Sequence, residues 1–534
     1  MDKFIIKDIL SVDSNLSIKE CRVIAGNHDV ALGVLDENRE LYSFVLCDSL
    51  DKMIAFGFEN KPVSLIALPS KIYSIEAVEN SSEHSFFVYD GEEYKLFIRS
   101  GISTPYINLL HRYEQILPSS VKNALSLCSK AADEINMPVY LIGGVVRDLI
   151  MGKASVDTDI SVEENAVEFA SFMKKKYGEL VDIKEIHEDF KTVKMIFHTG
   201  AEDVQIDIAS TREETYSYPS ALPSVKNIGC SLEADVIRRD FSINAMAVSL
   251  NKPTFGDLID YLGGYEDMKN HCLKILHPLS FIDDPSRILR GLKFSARFDY
   301  ANDERTEYLE RECLESGIFD NLATDRIKLE LRQALNLNMA DVYDRFLSDG
   351  IYRLVSTEFD ASILPKGKDI FDTIEKYSDY LEDREHIWLI YLGVMCAYLE
   401  KEQILELSKK LNLTSVELKV LLYTNSIVKH EEEISKFETM FDVYEFFECY
   451  FNESVAAAVS LFKNNRAREF ADVYLNKLQF ITINTTGRDL IARNMTPSPL
   501  FGEILRDILK EKINGNIKTP EEESIFVDKV LGKR

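Results

Sequence analysis

The chain has 534 residues, 46% of them hydrophobic and 28% charged, with 62 Lys and Arg against 89 Asp and Glu, a formal net charge of −27. That much apolar material supports more than one core, on a length prior of roughly three or four domains. It excludes a disordered, collagen-like or disulfide-scaffold protein. So acidic a chain has no overall attraction for a polyanion, and any such partner has to be held by a local basic surface.

Met1 to Leu10 lacks a continuous apolar run followed by a small-residue cleavage site, so the cytoplasm is the expected compartment. Residues 1–117 are read as a β-rich domain of unknown role. Its short apolar runs, Cys21 to Ala25, Leu41 to Leu46, Val63 to Leu68 and Phe86 to Tyr89, are separated by Gly, Asn, Asp and Ser. Gly26-Asn27-His28-Asp29 has the form of a metallophosphatase signature without its companion ligand motifs, and is read as a turn. The eight cysteines form no C-x-x-C pair and no cluster with His, which points to buried thiols rather than zinc or disulfides.

From Ser119 to Ile135 apolar residues recur at helical spacing, and strands and helices then mix to about residue 270. After Pro285 the pattern is almost wholly helical. Ile387 to Leu399 is apolar throughout but too short to cross a bilayer, so it is read as a buried helix and no membrane partner is expected. The expected domains are 118–270 as a mixed α/β head, 271–345 as a helical neck and 346–534 as a helical body and tail.

The chemistry concentrates in four segments. Val139 to Ile142 runs into Gly143-Gly144 and a helical pattern carrying Arg147 and Asp148, a turn at which backbone can approach a phosphate closely. Asp157 and Asp159 follow, two residues apart on a short strand, so both carboxylates project from one face. A solvated strand end is the alternative. Asp207 stands in the apolar run Val204 to Ala209, where an ionised carboxylate needs a partner or a metal. Three converging strand carboxylates would make an oxygen-rich site for Mg2+ and support a two-metal in-line displacement. Asp235 to Ala247 places Arg238, Arg239 and two acids beside an apolar stretch, where guanidiniums suit a triphosphate or form a salt-bridge cluster. Phe281 to Phe298 starts a helix with Asp284 as cap and Pro285 at its first position. Arg287, Arg290, Lys293 and Arg297 fall within about a 120° arc of it, a basic stripe that would face an anion or solvent.

Taken together, these segments resemble the class II tRNA nucleotidyltransferase and bacterial poly(A) polymerase family of DNA polymerase beta-like nucleotidyltransferases. Gly143-Gly144-x-x-Arg147-Asp148 with Asp157-x-Asp159 is similar to the first motif of that family, and Arg238 to Ala247 to its RRDFTINAMA motif. Asp260-x-x-Gly263-Gly264-x-x-Asp267, Asp283-Asp284-Pro285-x-Arg287-x-x-Arg290 and Arg326-x-x-x-Glu330 resemble the third, fourth and fifth. A weaker echo of a family tail lies in Thr486-Gly487-x-Asp489-Leu490 with Pro499 to Gly502.

The resemblance implies an α+β head with a mixed sheet followed by helical neck, body and tail. It also implies addition of C, A or both from CTP and ATP to the 3′ end of tRNA. Asp157, Asp159 and Asp207 would hold the catalytic Mg2+ ions. Gly143, Gly144, Arg147 and Arg239, with Asp240 and Asn244, would bind the nucleotide, Asp284 and Arg287 would read its base, and Arg290 and Lys293 would complete the pocket. Asp283, Lys274, Tyr261 and Lys293 depart from the usual residues at their positions, which bears on base choice more than on catalysis. No Asp follows His386, so a fused His-Asp phosphohydrolase is not expected. A poly(A) polymerase acting on general RNA is the nearest alternative, and a catalytically silent RNA-binding or adaptor protein a more distant one. The oligomeric state is left open.

Overall fold

A computed structural model describes residues 4–77, 84–101, 106–154, 157–200, 202–319, 324–381 and 384–532. The chain forms two compact units, Met1–Ala323 and Thr324–Arg534.

The first unit opens with strand β1 (Phe4–Asp13) and helix α1 (Ile18–Ala25), then β2 (Ala31–Leu35), β3 (Leu41–Leu46) and α2 (Cys47–Ala55). Four shorter strands follow: β4 (Leu68–Pro69), β5 (Ile72–Tyr73), β6 (Ser85–Tyr89) and β7 (Tyr94–Arg99). Among the described residues, these seven strands form one sheet in the order β4-β3-β2-β1-β7-β6-β5. The long β1 pairs with β7 through residues 4–8 and with β2 through residues 9–13.

Two of the expected strand runs are otherwise. Cys21 to Ala25 lies in α1, because Ser17 and Glu20 close a capping box and Ile18, Cys21 and Ala25 bury one helical face. Val63 to Ile66 is a 3-10 turn after Pro62, and only Leu68–Pro69 is extended. Gly26 ends α1 at φ +57°, so Gly26-Asn27-His28-Asp29 is a turn. The core under this sheet, with Val12, Ile18, Leu32, Met53 and Ile66, also contains Leu279, Ile282 and Ile318 from the later neck. The N-terminal domain and the neck therefore share one core.

Helices α3 (Leu110–Ile116) and α4 (Ser119–Glu134) lead into β8 (Val139–Ile142) and α5 (Gly144–Ile150), then β9 (Asp159–Val162) and α6 (Ala166–Tyr177). The chain continues through β10 (Val181–His187), β11 (Thr192–Phe197) and β12 (Val204–Ser210). The pair β13 (Arg212–Thr215) and β14 (Ser224–Ile228) comes next, followed by α7 (Leu232–Ile237), β15 (Ala247–Ser249) and β16 (Leu258–Ile259). Among the described residues, the head sheet has the order β10-β11-β12-β9-β8-β15-β16. It is mixed: β9 and β12 are parallel while β8 and β9 are antiparallel. This is the α+β architecture expected from the sequence.

The chain then runs through α8 (Gly264–Lys269) and, in the stretch expected to be the neck, the short β17 (Cys272–Leu273), α9 (Ser280–Asp283), α10 (Ser286–Phe298), β18 (Ala301–Asn302) and α11 (Glu304–Ser316). Asp260 accepts hydrogen bonds from the backbone N–H groups of Leu262, Gly263, Gly264 and Tyr265 and so anchors the start of α8. A Cβ at Gly264 would stand 2.2 Å from the Ser242 carbonyl oxygen, so only glycine lets α8 lie against the Arg238 to Ala247 segment. The third motif thus holds the second in place.

The second unit is helical in every described element from Thr324–Leu335 to Pro520–Gly532. Its helix Ile387–Cys396 is buried from Trp388 onward, as its unbroken apolar sequence predicts. Thr486 and Asp489 form the capping box of Gly487–Ala492, which gives the tail echo a structural role. No helix among the described residues is long and apolar enough to cross a membrane.

Candidate active site

The apolar strand β8 delivers the chain to Gly143, whose φ of +79° and ψ of −135° are rarely open to a residue with a Cβ. A Cβ at 143 would lie 3.6 Å from Nη1 of Arg239, and one at 144 would lie 3.4 Å from Nη2 of Arg147. Two guanidiniums therefore flank the glycine turn. Arg239 donates from Nη2 to Asp235 at 2.9 Å, while its Nε is buried with no hydrogen-bond partner. A buried donor without an acceptor is costly, and one beside a glycine turn suits an oxygen of an anionic ligand.

The acids stand next to this turn. Asp159 on β9 and Asp207 on β12 are register partners in the parallel pair, so both side chains leave the same face of the sheet. Asp157 precedes Asp159 by two residues, with Thr158 buried between them. The side chain of Asp159 is open to solvent on one side, yet the protein around it pushes its pKa up to about 6. Desolvation is the main cause, followed by Asp207 and Asp157 against the opposing pull of Arg239. Asp207 leans along its strand and accepts a hydrogen bond from Gln205 Nε2 at 3.2 Å.

This donor set is all oxygen and its members repel one another, which suits a hard divalent cation. Among the described residues, no three His, Cys, Asp or Glu side chains are gathered closely enough to make a metal-ligand cluster. Parallel register sets Asp159 and Asp207 side by side on one face of the sheet, and Asp157, two residues before Asp159, acts on the same carboxylate electrostatically.

Two buried networks hold the surroundings. In the first, Arg147 donates to Asp148 from Nε at 2.9 Å and to Asn244 Oδ1 from Nη1 at 2.6 Å, and lies over the Phe298 ring. Asn244 Nδ2 donates to Asp240 Oδ1 at 3.2 Å, and Arg290 Nε donates to Asp240 Oδ2 at 2.8 Å. Burial raises the carboxyl pKa of Asp240, but Arg290 and the Phe241 N–H outweigh it and hold it at about 2. In the second, the wholly buried Asp235 pairs with both Arg238 and Arg239, and Arg238 also reaches Glu214 at 2.8 Å. Burial again pushes the Asp235 carboxyl up and the two guanidiniums pull it below its usual value.

Arg147, Asp240, Asn244 and Arg290, all expected to bind nucleotide, are thus joined in one hydrogen-bonded network beside the turn. The stripe on α10 also divides. Arg287 is buried, donating to Ser280 Oγ at 2.6 Å and to the Arg238 carbonyl at 2.8 Å, and Arg290 turns to Asp240. Lys293 lies over the Phe294 ring and the exposed Arg297 over the Phe298 ring. Buried acceptors claim half the stripe, since leaving them unpaired would cost more than drawing in a cation. Helix α10 starts one residue later than expected, at Ser286. The Asp284 carboxylate still accepts the Ser286 N–H at 3.2 Å and stands 3.8 Å from Arg287 Nε. Asp235 was legible as a helical i,i+3 and i,i+4 partner of the two arginines. Glu214 and the pairing of Asp283 with Lys52 at 2.7 Å had no local signal.

The poly(A) polymerase head domain model matches residues 139–274, a stretch that contains the glycine turn, the three acids and the Arg238-Arg239 segment. The structure resembles the Thermotoga maritima CCA-adding enzyme complexed with tRNA, with TM-score 0.67 and 27% identity over 80% of this chain and 99% of that one. Residues 139–274 thus resemble a poly(A) polymerase head, and the chain is similar over most of its length to A-adding and CCA-adding tRNA nucleotidyltransferases. Among sequence relatives, the A-adding tRNA nucleotidyltransferase of Geobacter sulfurreducens is 29% identical over 78% of this chain and 48% of its own length. That of Halalkalibacterium halodurans is 28% identical over 78% of this chain and 94% of its own. The chain thus spans about half the length of the Geobacter relative. The match to the poly(A) polymerase head domain ends before Asp284 and Arg287.

Proposed function

We propose that this chain is a cytoplasmic tRNA nucleotidyltransferase that extends the RNA 3′ end with A, with C or with both, taking ATP and CTP as donors. The observation that carries this reading is the in-register pair Asp159 and Asp207 beside a glycine turn flanked by Arg239. Adenosine is the favoured nucleotide, because both sequence relatives described above are named for A addition.

In this reading the turn at Gly143 and Gly144 admits the triphosphate, and Arg239 donates its spare Nε–H to a phosphate oxygen. Arg147, Asn244, Asp240 and Arg290 keep the turn and Arg239 segment in fixed relation, so the donors need no reorganisation when charge develops. Asp284 and Arg287 present a carboxylate and a guanidinium to the base, with Lys293 at the rim. Asp157, Asp159 and Asp207 are the ligands for Mg2+, which when bound supplies activation of the 3′-hydroxyl and charge neutralisation at the departing pyrophosphate. The 3′-oxygen bonds to the α-phosphorus as the α–β bridging P–O bond breaks.

The test uses tRNA transcripts ending before CCA, after one C and after CC, and an unrelated RNA, each with ATP or CTP alone. The proposal expects one A on the transcript ending in CC. C addition to the shorter ends would extend the assignment to CCA. Long A tracts on the unrelated RNA would replace it with poly(A) polymerase, and no incorporation on any RNA would leave a silent scaffold.

A further inference from the structure

The N-terminal domain reaches the base-reading segment through one side chain. Lys52 on α2 donates to the carboxylate of Asp283 at 2.7 Å, and Asp283, at the end of α9, is 2% exposed. The same ammonium lies 5.3 Å from the centre of the Tyr216 ring. Helix α9 is held from both sides. Leu279 and Ile282 pack into the N-terminal core, while Ser280 Oγ accepts the Arg287 guanidinium at 2.6 Å. Asp284, next in the chain, stands 3.8 Å from Arg287. A displacement of α9 would therefore move both groups assigned to the base.

We propose that Lys52 is a positioning residue for base selection: by pinning Asp283 it fixes α9, and through α9 it sets where Asp284 and Arg287 meet the incoming nucleotide. The inference rests on the function proposed above. An ammonium at this place neutralises a carboxylate that has little access to water. Without it Asp283 either takes up a proton or swings toward solvent, and either change loosens the turn from 283 to 286. Arg305, which donates to the Ser85 carbonyl at 2.9 Å, and Tyr308, which donates to the Ser64 carbonyl at 2.8 Å, brace the domain against α11, so Lys52 acts from a fixed support.

The experiment measures kcat/KM for ATP and CTP on the full chain, with thermal midpoints, for wild type, Lys52→Met, Lys52→Arg and Lys95→Met. Lys95 pairs with Asp8 and Glu93 in the same domain and serves as the matched loss of charge. Lys52→Met should change the ATP to CTP ratio by about tenfold, the scale of a small misplacement of reacting groups, and Lys52→Arg should restore most of it. Lys95→Met should leave the ratio at the wild-type value. Should Lys52→Met fail to fold, the double variant Lys52→Met with Asp283→Asn leaves no buried charge behind and is expected to show the same shift. A lower midpoint with an unchanged ratio in either variant reduces Lys52 to a structural contact and overturns the inference alone. Absence of transfer by wild type overturns the underlying function, and this inference with it.

Discussion

Asp235 shows how much of the site depends on a side chain that never meets solvent. It is 0% exposed and holds Arg238 and Arg239 together, and Arg239 is the guanidinium that flanks the glycine turn and acts electrostatically on Asp159. Asp235→Ala leaves two partly buried cations, of which Arg238 retains Glu214 and Arg239 loses its Asp235 carboxylate. Removing one partner of a buried charge cluster costs about 3 to 5 kcal/mol. Urea unfolding of the variant should show a loss of that size, and the KM for nucleotide should rise because Arg239 is no longer aimed. The site was readable in the sequence to the extent that its chemistry is local. Gly143-Gly144, Asp157-x-Asp159 and the adjacent arginines are each ambiguous alone and point to one site only when read together. The pairing of Asp207 with Asp159 requires the parallel alignment of two strands, and the contact of Lys52 with Asp283 spans 231 positions, so neither leaves a local pattern.

Elements follow the same division. Helix α4 and the buried helix Ile387–Cys396 are written in apolar periodicity, and β3 and β6 in short β-branched and aromatic runs. Helix α1 was obscured by its Val and Ile, although Ser17 and Glu20 carried the capping signal. The stripe on α10 was correct in its angular placement and incomplete in its meaning, because periodicity cannot show which cations the neighbouring head consumes. A testable consequence lies where β6 meets α11. His84, just before β6, has its pKa lowered to about 4 by burial, with Arg305, Arg99 and Lys274 adding to the effect. The unfolded chain binds this proton near the ordinary histidine value and the folded chain does not. The stability is therefore complete above about pH 6.5 and is lost as pH falls from there toward 4, by roughly 3 kcal/mol at most. Urea unfolding at pH 7 and pH 4.5 should show a smaller acid loss in His84→Gln than in wild type. Equal losses would place His84 outside this balance.

At the scale of the whole molecule, the N-terminal domain is part of the fold that carries the site. Its core includes Leu279, Ile282 and Ile318, so deletion of residues 1–101 would uncover apolar surface on the neck. The truncated chain should aggregate or lose its cooperative unfolding transition by circular dichroism, and a soluble, cooperative truncated chain would contradict the shared core. With a net charge of −27, the proposed RNA partner has to be held by local basic surfaces, apart from the carboxylates proposed to support transfer. The most direct measurement is incorporation of labelled A into a tRNA ending in CC by wild type, Asp159→Asn and Asp207→Asn, with RNA affinity measured in parallel. The account predicts that both variants bind the RNA as wild type does and lose about a thousandfold or more in transfer rate. Transfer at the wild-type rate by either variant would contradict it.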